Sequence, residues 1–259
     1  MKALWKGTIS FALVSIPVKL YSATHKKDIA FHMLHKKCST PLNYERHCST
    51  CNATIPWEDV THGYEYEKGK FVIINDEELE RIPVRASKSI EILRFVDIRE
   101  IEPIYFDKSY YLEPAEGGER AYALLREVIK DSGKVALAKI TFKDKEHVAA
   151  IRIFKDVLLL CTLFYADELI KSETLNIPRR IDLDPKELDL AKELVRHFLG
   201  RLEIEAYHDE FREAVMELIK TKVAGKEIKV APEKEVSKVV SLMEALKKSL
   251  EKRPKRKAV

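Results

Sequence analysis

The chain has 259 residues, 46% of them hydrophobic and 34% charged, with a formal net charge of +4 at pH 7. That length holds one large core, or one core with an appendage, and the hydrophobic share is enough to pack it. The longest apolar run, VLLLCTLF at 157–164, cannot cross a bilayer. MKALWKGTIS is no secretory signal and four cysteines make no disulfide scaffold, so no membrane association and a reducing cytoplasm are expected.

In chain order, residues 4–24 (LWKGTISFALVSIPVKLYSAT) come first. Trp5, Gly7, Ile9, Phe11 and Leu13 alternate with small or polar residues, the period of a strand with one covered face. Pro17 predicts a break there, with a second strand restarting at Val18. A polar turn at 25–28 leads into a segment rich in Cys and His, 29–62. Residues 64–67 and 71–74 read as a hairpin turning at Lys68-Gly69. Asn75 is placed to cap a short acidic helix running to Arg81. SIEILRFV at 89–96 alternates as a strand, and 104–106 with 110–112 predict a pair of short aromatic strands. Residues 119–131 carry helical spacing, with Ala121, Leu124, Leu125 and Val128 on one face and Gly133 as the stop.

Residues 134–164 read as a three-strand meander: KVALAKITF, HVAAIRIF and VLLLCTLF. Centring its first turn between Asp144 and Lys145 pairs residues whose numbers sum to 289, setting Lys139 opposite Ala150 and Arg152 opposite Leu137. The two cations then lie diagonally on one face. That face meets water or an anionic partner, or the two side chains snorkel at a barrel rim. From Asp184 the period becomes helical, with an N-cap, Pro185 at the first position and Glu187 behind it. Leu194, Val195, Phe198 and Leu199 form an apolar stripe, repeated at Phe211, Val215, Leu218 and Ile219. A third helix is expected after Pro232. Residues 226–259 carry eleven Lys/Arg against five Asp/Glu, so a net +6 there leaves −2 for the rest, and the last residues, KRPKRKAV, are expected to be disordered.

His35-x2-Cys38-x9-Cys48-x2-Cys51 has the residue types of a structural zinc site, each x2 pair suited to clasp the metal on a tight turn. His32 and His47 are substitutes for His35. Reduced cysteines in a loop are the competing reading. Four protein ligands leave no open position for water, so catalytic zinc is not expected. Cys161 belongs to an apolar strand. No GxGxxG, GxxxxGK, GxSxG or HExxH occurs, and the chain is not expected to be an enzyme. Asp76-Glu77-Glu78 or Asp182 with Asp184 could hold magnesium in a metal-dependent nuclease, but helix N-termini explain both clusters equally. Cations on loops and strand faces (Lys36, Lys37, Arg46, Lys139, Arg152, Lys155) and in the tail (Lys252, Arg253, Lys255, Arg256, Lys257) suit phosphate contact, which reads no sequence. A zinc-containing, sequence-specific DNA-binding regulator is the alternative of another class.

WKGTISFALVSIPVKLYSAT, followed by DIAFHMLHKKC, resembles the N-terminus of the prokaryotic Ku proteins. The resemblance recurs in HGYEYEKGKFVIINDEEL, EPIYFDKSYYLEP, the run from KVALAKITF to LFYADEL, and YHDEFREAVMELIKTKVAGKE, covering roughly 1–230. It implies an α+β fold, mainly β: a Ku-type β-barrel core over 1–183 with a bridge segment at about 28–66. A helical dimerisation arm over 184–225 and a basic extension over 226–259 would follow. It further implies a homodimeric ring, cytoplasmic and nucleoid-associated, that threads double-stranded DNA ends regardless of sequence. Such a ring would recruit an ATP-dependent DNA ligase for non-homologous end joining.

Overall fold

The structure, a computed structural model, describes residues 1–81, 88–142, 145–178, 180–225 and 242–251. It divides into two units, Met1–Lys27 with Phe31–Thr174, and Asp28–Ala30 with Leu175–Val259.

Seven strands build a closed barrel in the first unit, the last of them a continuous apolar run instead of an alternating one. β1 (Trp5–Phe11) and β2 (Val14–Ser22) form its opening hairpin. Two short hairpins lie between them and the rest of the barrel: β3 (His47–Cys48) with β4 (Ala53–Thr54), and β5 (His62–Glu67) with β6 (Lys70–Ile74). A helix, α1 (Asp76–Glu80), is closed at its start by the Glu78 carboxylate, which accepts from Asn75 N–H at 2.9 Å. β7 (Ser89–Val96), β8 (Phe106–Pro114), β9 (Val135–Phe142), β10 (Lys145–Phe154) and β11 (Val157–Leu163) complete the barrel in the order β1-β2-β8-β11-β10-β9-β7. The ring closes through a parallel pairing of β1 with β7. Alternate residues of every strand, among them Ile9, Leu20, Ile90, Leu112, Ile140, Ile151 and Leu160, fill the interior and are almost fully buried. Gly7 leaves room for a close approach: a Cβ there would sit 2.2 Å from the Lys88 carbonyl and 2.3 Å from the Trp5 ring.

Helix α2 (Glu119–Ser132) ends at Gly133, whose φ of 61° is the left-handed conformation of a helix stop. Tyr122, Leu125 and Ile129 of α2 join the barrel core. The Tyr122 hydroxyl donates to the Leu112 carbonyl at 2.8 Å and accepts from the Leu158 N–H at 3.0 Å. Leu112 and Leu158 face each other across β8 and β11, so one side chain ties the helix to two strands.

Four expectations are corrected. The opening run breaks at Ala12-Leu13, with Ala12 at φ 52°, and Pro17 lies inside β2 opposite Thr8. The Thr8 N–H points to Lys88 on the β7 side, so its partner Pro17 turns its N–H-free nitrogen away from β1. It turns to the β8 side at the end of that ladder, after Val18–Pro114, where Pro17 needs only its carbonyl, which accepts from Ala115 N–H at 2.8 Å. The two short aromatic strands are one strand, β8, preceded by a 3₁₀ turn at Pro103–Tyr105. The buried face of α2 is not Leu124 and Val128, which are 67% and 51% exposed. Finally, β9 and β10 pair at numbers summing to 287, Lys139 opposite Val148 and Leu137 opposite Ala150.

The second unit holds α3 (Pro185–Phe198), α4 (Glu210–Val223) and α5 (Leu242–Glu251). Asp184 caps α3 by accepting from Lys186 N–H at 2.9 Å, as its sequence implied. α3 packs against α5, yet neither α3 nor α4 contains a buried residue. Val195, Phe198, Leu199, Phe211 and Val223 are each more than 60% exposed. Pro232 and KRPKRKAV lie outside the described residues. Among the described residues no helix is long and apolar enough to cross a membrane.

Candidate nucleic-acid interface

The barrel interior takes the even-numbered residues of β9 and the odd-numbered residues of β10, so Lys139 and Arg152 both project from its outer surface. The shift from a sum of 289 to 287 leaves the shared face intact, because both are odd. It does separate the two cations: Lys139 lies opposite Val148, four residues from Arg152, about 13 Å along the strand. They are not diagonal neighbours.

Their surroundings differ. Arg152 lies opposite Leu159, which lies opposite Tyr111, which lies opposite Tyr21, a row crossing four strands. Its guanidinium has no carboxylate partner among the described residues. Lys139 instead donates to Glu146 at 2.9 Å, and that hydrogen bond, with the carboxylate's charge, raises the lysine's pKa. Lys145 at the same end is paired with Glu168, which is itself anchored by the Tyr165 N–H. Lys155 takes a left-handed φ of 54° in the turn joining β10 to β11, its ammonium 5.7 Å from the Phe154 ring centroid. Glu146 and Glu168 were missed in the sequence. Glu146 is detectable once Lys139 and residue 146 are seen to share the outer face.

The Cys/His segment contributes two turns built alike. In the first, Leu34 bridges to Pro41, His35 N–H donates to Thr40 O at 2.9 Å, and Ser39 N–H donates to His35 O at 2.7 Å. In the second, β3 pairs with β4. Each turn carries a ligand pair at x2 spacing followed by a residue in the left-handed region, Ser39 at φ 55° and Asn52 at φ 47°. His35 Nδ1 lies 3.0 Å from Cys38 Sγ. The Thr40 hydroxyl, then its N–H, lowers the Cys38 pKa; the Cys51 N–H, then its thiol, lowers that of Cys48, while Cys51 is raised by the same hydrogen bond. In each turn, therefore, hydrogen bonds lower the pKa of one thiol. Among the described residues no three such groups are gathered as a metal set, so the structure makes two pairs, not one cluster. Cys161 is buried, as its strand implied.

Lys36 and Lys37 are exposed in the first turn. Arg46 precedes the second, and its guanidinium carbon lies 4.1 Å above the ring of Trp57, a residue the sequence reading passed over. Lys252, Arg253, Lys255, Arg256 and Lys257 lie outside the described residues.

A model of the Ku70/Ku80 beta-barrel domain matches residues 10–190. The chain belongs to the Ku family. Proteins named "Non-homologous end joining protein Ku" are similar over nearly all of it. That of Symbiobacterium thermophilum is 42% identical over 96% of this chain and 63% of its own length. That of Heliobacterium modesticaldum is 40% identical over 97% and 92%, and that of Archaeoglobus fulgidus 39% identical over 97% and 99%. This Ku chain thus spans less than two thirds of the Symbiobacterium relative. The barrel-domain match encloses both Cys/His turns, Arg46, Lys139, Arg152 and Lys155, and leaves α4, α5 and the basic tail beyond it.

Proposed function

We propose that this chain is one subunit of a homodimeric ring that binds ends of double-stranded DNA without reading sequence. The ring would hand them to an ATP-dependent DNA ligase in non-homologous end joining. The observation that carries the reading is family membership with relatives of that name over nearly the whole chain. Unpaired Arg152 on the outer barrel face supports phosphate contact, and contact with phosphates positions a protein without specifying bases. The uncovered apolar side chains of α3 and α4 support a partner subunit, since large exposed apolar patches mark interaction surfaces. Two like-built turns with His or Cys at x2 spacing support one structural zinc per chain, held by His35, Cys38, Cys48 and Cys51, provided that it draws together pairs that stand apart among the described residues. Such a metal would fasten the two turns to each other.

The experiment compares linear and covalently closed DNA of equal length, with and without magnesium. A threading ring prefers the linear form and leaves both intact. Equal binding of the two forms would remove the ring, and cleavage with magnesium would make the protein a nuclease.

A further inference from the structure

Most cations named above are neutralised inside the molecule or stand alone. Arg46 does neither. Its carbonyl is pinned by the Ile55 N–H at 2.7 Å, which fixes where the residue leaves the β3–β4 hairpin. Trp57 sits on the other side of that hairpin in a 3₁₀ turn that begins after Pro56 and closes through Val60 N–H to Trp57 O at 3.1 Å. Both backbones are therefore held, and the guanidinium rests 4.1 Å over the indole. No carboxylate is paired with Arg46 among the described residues, whereas Lys19, Lys70, Arg99, Arg126, Lys139 and Lys145 each have one. The indole stays 62% exposed, although ring burial is what ordinarily keeps a tryptophan in place.

A guanidinium held over a ring face can keep N–H groups free at its edge, and that planar fork matches the two oxygens of a phosphodiester. Stacking also removes rotamer freedom before the anion arrives, so less is lost on binding. We propose that Trp57 is a positioning residue that holds Arg46 ready for a backbone phosphate of the bound DNA. The assignment rests on the DNA-binding reading above. A lysine in place of Arg46 keeps the charge but lacks the planar fork, and a phenylalanine in place of Trp57 keeps a ring face for the cation.

The test measures binding of the full-length protein to a linear duplex across a salt series. Arg46→Ala should make the slope of log affinity against log salt shallower by about 0.9, one phosphate contact. Trp57→Ala and Arg46→Lys should keep the parent slope but weaken binding about two- to five-fold, the size of an exposed cation–π stack. Trp57→Phe should stay near the parent, and Trp57→Ala should add nothing in an Arg46→Ala background. A parent-like slope for Arg46→Ala, a parent-like affinity for Arg46→Lys, or multiplying losses in the double variant would each overturn the assignment while leaving DNA binding intact. A change in sedimentation on Arg46→Ala would overturn it too, by making the anion a carboxylate of a second copy. Failure of the unaltered protein to bind linear duplex would instead defeat the underlying reading.

Discussion

At the scale of single residues, charge is less informative than the company it keeps. Arg152 and Lys139 share the outer face of the barrel, but only Lys139 is already satisfied, by Glu146. Arg152→Ala should therefore flatten the salt dependence of DNA binding by about 0.9 in log–log slope. Lys139→Ala should flatten it less, because a phosphate must first displace Glu146. Equal slopes for Arg152→Ala and the unaltered protein would mean that this face looks away from DNA. Cys48 offers a second measurement. A structural metal contributes directly to folding, so protein prepared without chelator should carry about one zinc per chain, and Cys48→Ser should lose both the zinc and local stability. Zinc absent from the unaltered protein by elemental analysis would leave the four residues as two hydrogen-bonded pairs.

At the scale of elements, α2 shows what sequence periodicity reads and what it misses. Its length and its glycine stop were legible, because helical spacing and a left-handed terminus are local properties. Its buried side was not. Leu124 and Val128 look more apolar than Tyr122, yet Tyr122 is buried because two backbone groups of the barrel need its hydroxyl. Tyr122→Phe should orphan the Leu112 carbonyl and the Leu158 N–H and lower stability by about 1–3 kcal/mol, measurable by urea unfolding. No loss would mean that water replaces the hydroxyl. The strands were legible for the same local reason: β7 and β9 alternate, β11 is a continuous apolar run, and β7 has the bounds read from its sequence. Register was not, since it depends on how many residues the turn consumes. One position per strand separated Lys139 from Arg152 while keeping their shared face. Pro17 was misread because it sits at the end of the β2–β8 ladder, where its carbonyl alone is used and its missing N–H leaves no gap, a fact of topology. In the Cys/His segment the x2 spacings were legible, whereas the matching left-handed residues Ser39 and Asn52 were not.

At the scale of the molecule, the barrel has its own core, whereas among the described residues α3 and α4 contain no buried residue. A chain that leaves Phe198 and Phe211 mostly exposed is read here as half of an assembly. If the chain is the dimer proposed above, Phe198→Glu with Phe211→Glu should convert it to a monomer by sedimentation while the barrel stays folded. An unchanged sedimentation coefficient would show that these faces do not join the subunits. The ring proposed above would hold DNA because the duplex passes through it. The most direct measurement loads the protein on linear DNA, closes that DNA into a covalent circle by ligation, and then raises the salt to screen phosphate contacts. A threaded ring should remain on the circle through the salt wash and leave when the circle is cut once. Protein that washes off the closed circle as readily as off linear DNA would contradict the account.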